Sequence, residues 1–250
     1  MNIILLGHHD LASLFALNRL VSLRPEHEFT VFTSGTLTAP EDIPAALVEL
    51  ARIDTALCGQ YLEEHPVADV LRNARELTAP NSPAGLQTLA DCRPDLIVSI
   101  RYRRILRDAA IAIPALGVLN LHSGILPDYK GVMATFWAML NDEPELGTSL
   151  HRIVDSGVDT GPLIAISRTP ANSQKSYLAN VLSLYANGCE QMACAISDLA
   201  CGKDLPGDVQ VPDNGRYFST PDQSAIERFL ARNLRLASGL ELQALRARKT

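Results

Sequence analysis

At 250 residues, the chain has room for one large domain, or for a domain with a small appendage. Hydrophobic residues make up 47% and charged residues 20%, ordinary proportions for a soluble α/β protein with a sizeable core. The formal net charge of −6 argues against a general attraction to nucleic acid or to an anionic membrane.

The chain opens MNIILLGHHD, with no basic leader and an apolar run too short for a signal peptide or a membrane span. Residues 2–6 read as a first strand, broken at Gly7 and followed by a helix that opens at Asp10. Leu11, Leu14, Phe15, Asn18 and Val21 give that helix a core-facing stripe, and residues 29–33 form the next strand. Strand, glycine, helix and strand make a βαβ unit, so a parallel sheet with a right-handed crossover is expected. Gly7-His8-His9-Asp10 lacks the three glycines of a dinucleotide fingerprint, which argues against NAD. His8 and His9 read as solvated turn residues, although strand ends in such sheets point at ligand sites.

Residues 43–64 have helical composition, and Pro66, Pro80 and Pro83 break the chain after them. A helix over 85–92 and a strongly apolar strand over 95–100 follow. Arg101, Arg103, Arg104 and Arg107 fit either a phosphate patch or a solvated loop and helix start. The next strand ends Asn120-Leu121-His122, and the period of two puts the amide and the imidazole on one face. Such groups on an interior strand are either hydrogen-bonded structural polars or the edge of a site. A Gly- and Pro-bearing loop leads to a helix over 132–140, whose Phe136 and Trp137 read as core. Residues 147–154 and 163–167 are an expected antiparallel pair enclosing the loop 155–162.

Tyr177, Leu178, Val181, Leu182, Tyr185, Cys189, Met192, Ile196 and Leu199 hold one face of a long helix, capped by Ser173 or Ser176 and stopped at Gly202. Beyond it, Pro206, Gly207, Pro212, Asp213, Asn214 and Gly215 mark turns, 216–219 a short strand, and Thr220-Pro221 the start of a helix over 222–232. Arg216, Arg228, Arg232, Arg235, Arg246, Arg248 and Lys249 outnumber Asp222, Glu227 and Glu241 there, and an exposed helical face accounts for them. Cys58, Cys92, Cys189, Cys194 and Cys201 form no Cys-x-x-Cys pair and lie among apolar residues, so buried free thiols in a reducing cytoplasm are expected and no metal site.

Asn120-x-His122, Leu126-Pro127, Tyr129-Lys130-Gly131, the run from Gly147-Thr148 to His151, and Val158-Asp159-Thr160-Gly161 resemble, in order and spacing, the motifs of the folate-dependent formyltransferase family. That family includes glycinamide ribonucleotide, methionyl-tRNA and nucleotide-sugar N-formyltransferases. The resemblance implies an α/β, Rossmann-like fold, a mostly parallel twisted sheet flanked by helices. Its catalytic domain would span 1–202, with a short strand–helix appendage at 203–250. It implies 10-formyltetrahydrofolate as formyl donor and Asn120, His122 and Asp159 as catalytic residues. Arg104, Ile105 and Leu106 take the places that wall the pterin pocket, and Val154 and Asp155 join them as cofactor-binding residues. His151 takes a supporting role.

Formyl transfer to an amine builds negative charge on the formyl oxygen and moves a proton off the attacking nitrogen. An amide that does not titrate suits the oxyanion, an imidazole suits the proton, and a carboxylate orients the imidazole. Too little chain follows Gly202 for the C-terminal barrel of the methionyl-tRNA enzymes, and Gly7-His8-His9-Asp10-Leu11 is not the phosphate loop of the glycinamide ribonucleotide enzymes. The regulatory domain of the formyltetrahydrofolate hydrolases has no counterpart. By elimination the expected acceptor is a small-molecule amine, first a nucleotide-linked amino sugar. An amino-acid derivative such as hydroxyornithine comes second, and methionyl-tRNA is a further alternative. The rival of another class is a catalytically silent folate-binding regulatory protein. A cytoplasmic enzyme without membrane or nucleic-acid partners is expected, and a homodimer is compatible with it.

Overall fold

The computed structural model describes residues 1–35, 43–211 and 215–242. The first half runs β1 (Asn2–Gly7), α1 (Leu11–Leu23), β2 (Glu28–Thr33), α2 (Ala45–Glu64), α3 (Asp69–Arg72), β3 (Arg75–Glu76), α4 (Pro83–Asp91), β4 (Leu96–Ser99) and α5 (Asp108–Ile111). The second runs β5 (Val118–His122), β6 (Tyr129–Gly131), α6 (Ala134–Leu140), β7 (Glu145–Ile153), β8 (Leu163–Pro170), α7 (Tyr177–Ala200), β9 (Arg216–Phe218) and α8 (Gln223–Ala231).

Seven strands form one sheet in the order β3-β2-β1-β4-β5-β7-β8. The strands from β3 to β5 are parallel, and β7 and β8 are antiparallel additions. This is a Rossmann-like, mostly parallel sheet flanked by helices. Alternate residues feed two cores. Ile3, Leu5, Val98, Leu119 and Leu121 pack with α1 and α7 on one face, while Ile4, Leu6, Ile97 and Val118 pack with Leu89 of α4 and Ala110 of α5 on the other. Burial on both faces explains why β1 and β4 read as unbroken apolar runs.

Several local expectations change. The buried side of α1 is Leu11, Ala12, Ala16, Leu17 and Leu20, with Leu14, Phe15 and Val21 only half-buried. Small alanines, which carry little weight in a hydrophobic stripe, are what let α1 lie close to α7. Ser176, not Ser173, caps α7, accepting from Ala179 N at 3.1 Å. Asp222, not Thr220, caps α8, accepting from Ala225 N at 2.7 Å. Cys189 is buried, but Cys194 and Cys201 are exposed near the end of α7.

Residues 216–242 contribute to the first core. β9 pairs in parallel with β6, Phe218 stacks on Tyr129 and Trp137 at 5.2 and 5.1 Å, and Phe229 stacks on Phe136 at 4.4 Å. Each buried phenylalanine is worth roughly 1.5–3 kcal/mol, which ties this segment firmly to α6. Arg232 and Arg235 are not simply solvated, since they donate to the carbonyls of Leu140 and Gln174. The turn residues Pro212, Asp213 and Asn214 and the basic Arg246, Arg248 and Lys249 lie outside the described residues.

Candidate active site

Sheet register brings the polar residues into one row. Ser99 of β4 lies beside Asn120 of β5, and Asn120 lies opposite His151 of β7. Asn120 and His122 share the face that carries Val118, beyond the end of that core, so their side chains meet open space rather than a helix. The loop after β5 is fixed from below by Ser149, whose hydroxyl donates to Gly124 O at 2.8 Å and accepts from Leu126 N at 3.0 Å. Gly124 is required there, because a Cβ would come within 2.6 Å of His122 Nε2.

Asp159, 8% exposed, is the hub. One carboxylate oxygen takes a hydrogen bond from Asn120 Nδ2 at 3.3 Å and lies 3.4 Å from His151 Nε2. The other accepts from Gly131 N at 2.8 Å and lies 3.4 Å from His122 Nδ1. Burial alone would raise its pKa. The neighbouring His122, the His151 contacts and the Gly131 N–H more than offset that and hold it down at about 2. His151 Nδ1 donates to Arg152 O at 2.9 Å, which leaves its Nε2 to accept from Asn120 Nδ2 at 3.0 Å. His122 Nε2 donates to Tyr129 O at 2.7 Å, which leaves Nδ1 as its basic position.

These groups line a cavity of about 410 Å³, within the usual size for a small-molecule site. Arg104, Ile105, Leu106 and Asp155 line it as well, whereas Val154 is 52% exposed and does not. Tyr217 and Thr220 from the C-terminal segment stand at its rim. A separate hollow of about 90 Å³, between the loop at 124–128 and β7, contains none of the catalytic candidates.

The arginine run resolves into something neither expectation described. Arg101, with φ of +62°, clamps the buried Asp10 with Nε at 3.0 and 2.9 Å from its two oxygens, and Arg103 adds a contact at 3.4 Å. Burial opposes this charge, but the two guanidiniums hold Asp10 down at about 2. His8 is half-buried with Nδ1 2.8 Å from Ser34 Oγ, and burial together with Arg103 lowers it to about 4, so it is not a solvated turn residue. His9 lies 2.9 Å from Thr33 Oγ1 and faces Glu76. Sequence reading missed this cluster because Asp10 and Arg101 are 91 residues apart; only the capping role of Asp10 was visible locally. It also missed the Tyr129 carbonyl on His122, a main-chain group that leaves no residue-type signal.

The fold and this polar row define an α/β domain whose site lies at the carboxyl edge of a parallel sheet. The family model for formyl transferases matches residues 41–181, and the chain belongs to that family. A methionyl-tRNA formyltransferase from Trichlorobacter lovleyi is 30% identical over 152 residues, covering 59% of this chain and 48% of that protein. The chain thus spans about half the length of the curated relatives it matches, or less. Among solved structures, glycinamide ribonucleotide transformylase 1 from Symbiobacterium toebii superposes with a TM-score of 0.59 at 18% identity, over 84% of this chain and 94% of that one. The formyltransferase PseJ from Anoxybacillus kamchatkensis, solved with UDP-4,6-dideoxy-4-formamido-L-AltNAc and tetrahydrofolate, superposes with a TM-score of 0.53 at 20% identity over 97% of each chain. At these identities the structures speak to the fold.

Proposed function

We propose that this chain is an N-formyltransferase that moves a formyl group from 10-formyltetrahydrofolate to the primary amine of a small anionic acceptor. A nucleotide-linked amino sugar is the first choice. The observation that carries the reading is the convergence of Asn120, His122 and Asp159 on one wall of the 410 Å³ cavity. Residues 1–202 would be the catalytic domain, with 203–250 appended to it, in a cytoplasmic enzyme.

The donor supplies an activated formyl carbon; the chain's own residues do the rest. Asn120 uses both amide hydrogens on the protein, at 3.0 Å to His151 and at 3.3 Å to Asp159. Giving up the longer bond turns one N–H toward a developing oxyanion while His151 still holds the amide. His122 Nδ1 takes the proton of the attacking amine, and the Asp159 carboxylate at 3.4 Å stabilises the charge that arrives. Asp159 stays ionised for this through the neutral range because its pKa lies at about 2. Apolar Ile105 and Leu106 with polar Arg104 and Asp155 suit a flat heterocycle with a hydrogen-bonding edge. Toward the acceptor, Arg103 lines the same cavity, 43% exposed, and shares Asp10 with the better-placed Arg101. An anionic acceptor group would complete its charge. The sugar nucleotide bound by the Anoxybacillus kamchatkensis protein supports that class.

The test is release of tetrahydrofolate from 10-formyltetrahydrofolate with a panel of amines: nucleotide-linked 3- and 4-amino sugars, hydroxyornithine, glycinamide ribonucleotide and charged initiator tRNA. Release that depends on an amino sugar, with KM for it raised about tenfold by Arg103→Ala, is the expected result. Release without any amine would indicate a hydrolase. Folate binding with no release across the panel would favour the silent binding protein.

A further inference from the structure

The segment that returns from α7 runs alongside the loop carrying Asp159. Leu163 and Asp208 exchange main-chain hydrogen bonds, both 2.8 Å, and a Cβ on Gly207 would lie 3.0 Å from Pro162. This contact places Gln210 under the turn. Its Nε2 donates to Asp159 O at 3.1 Å and to Gly161 O at 2.8 Å, bridging the carbonyls on either side of Thr160.

The turn needs holding. Asp159 has φ of +55°, a left-handed conformation that opposes a side chain by roughly 1–2 kcal/mol. From the other side Arg152 N donates to Pro162 O at 3.0 Å, and a Cβ on Gly161 would strike Arg152 O. We infer that Gln210 is a positioning residue, which pins the left-handed turn and so aims the Asp159 carboxylate at Asn120, His122 and His151. The polar segment 203–211 is then part of the catalytic apparatus rather than a connection to the appendage. The inference rests on Asp159 as the catalytic carboxylate. Gln210 leaves its Oε1 buried with no hydrogen-bond partner among the described residues, so the side chain is placed for its two donors at the expense of its acceptor.

Amide chemistry separates positioning from mere packing. Gln210→Glu keeps the volume but sets carboxylate oxygens against two carbonyls; Gln210→Ala removes the bridge. With the full chain and whichever amine the wild type accepts, kcat should fall about 10–100-fold in both, because a displacement near 1 Å at a reacting group costs up to ~10²-fold. KM for 10-formyltetrahydrofolate should stay within about twofold, since the folate wall at 104–106 is untouched. Hydrogen exchange of the substrate-free protein gives an arm that needs no turnover: amides in 155–163 should lose protection while those of β4 and β5 keep theirs. A wild type silent on every amine would sink the functional reading and leave this arm to decide the placement. Unchanged kcat in Gln210→Glu, unchanged exchange at 155–163, or a loss of protection spread over the whole sheet would each overturn the inference.

Discussion

Two buried aspartates sit 149 residues apart, Asp10 and Asp159. They are 7% and 8% exposed, and their polar neighbours hold both down at about 2. The partners differ in kind. Asp10 faces Arg101 and Arg103, whose charges are permanent, and it caps α1 through Ser13 N at 2.8 Å. Asp159 faces the imidazoles of His122 and His151, each with one ring nitrogen that donates and one that accepts, and a main-chain N–H. The first cluster therefore holds shape and cannot relay a proton; the second can do both. Position follows the same division. β1 leads to β2 on one side and β4 pairs on the other, so the crevice at their carboxyl ends is the point where strand order reverses, the usual ligand site of such sheets. Here the Asp10–Arg101 pair lies just past the ends of β1 and β4, and the candidate catalytic groups stand on β5 and opposite it on β7.

The comparison breaks first at Asp159. Asp159→Asn preserves shape but removes the charge on which His122 depends, so kcat should fall by about 10³-fold or more while the fold survives. Steady-state rates paired with a calorimetric melt measure it. A variant that kept its rate would make Asp159 a structural anchor like Asp10.

The second effect is on stability. Asp10→Asn keeps the cap on α1 but leaves Arg101, 17% exposed, without its counter-charge. Removing one partner of a buried pair costs about 3–5 kcal/mol, which urea unfolding reads directly. A loss under about 1 kcal/mol would mean that Arg101 turns to Asp54, the carboxylate that accepts from Leu11 N at 3.0 Å. In the folded fraction kcat should hold, because Asp159 and its partners are untouched, while KM for the acceptor should move, because Arg103 loses its contact with Asp10.

The same contrast explains what the sequence made legible. The sheet, the long α7 and the trio Asn120, His122 and Asp159 come from local periodicity and from motifs whose spacing survives in one dimension. Asp10 with Arg101, Tyr129 O with His122 and Gln210 with Asp159 are contacts between distant segments, two of them to main-chain carbonyls. No periodicity encodes them. β9 escaped notice as a partner for β6 for the same reason: a three-residue strand declares neither its neighbour nor its direction. Val154 lies at the end of a correctly read strand but points away from the cavity, since alternation gives its neighbours Ile153 and Asp155 the inward places.

The smallest effect lies in acid. A carboxyl whose folded pKa is depressed from 3.8 to about 2 adds stability that is fully present above pH ~4 and is lost as pH falls toward 2. Each of the two aspartates should contribute roughly 2 kcal/mol in that window. Asp54 opposes them: burial, then Asp10, raises it to about 6, so its contribution declines as pH rises from about 4 through 6. His8, held down at about 4, loses stability as pH falls from about 6.5 to 4 and so offsets the gain from Asp54, and denaturant midpoints taken from pH 7 to pH 2 should fall steeply only below pH 4. Asp10→Asn should flatten that fall, having removed one of the two carboxyls that must be protonated. If its acid limb stays as steep as that of the wild type, Arg101 does not hold Asp10 ionised, and the two aspartates differ in more than the titration of their partners.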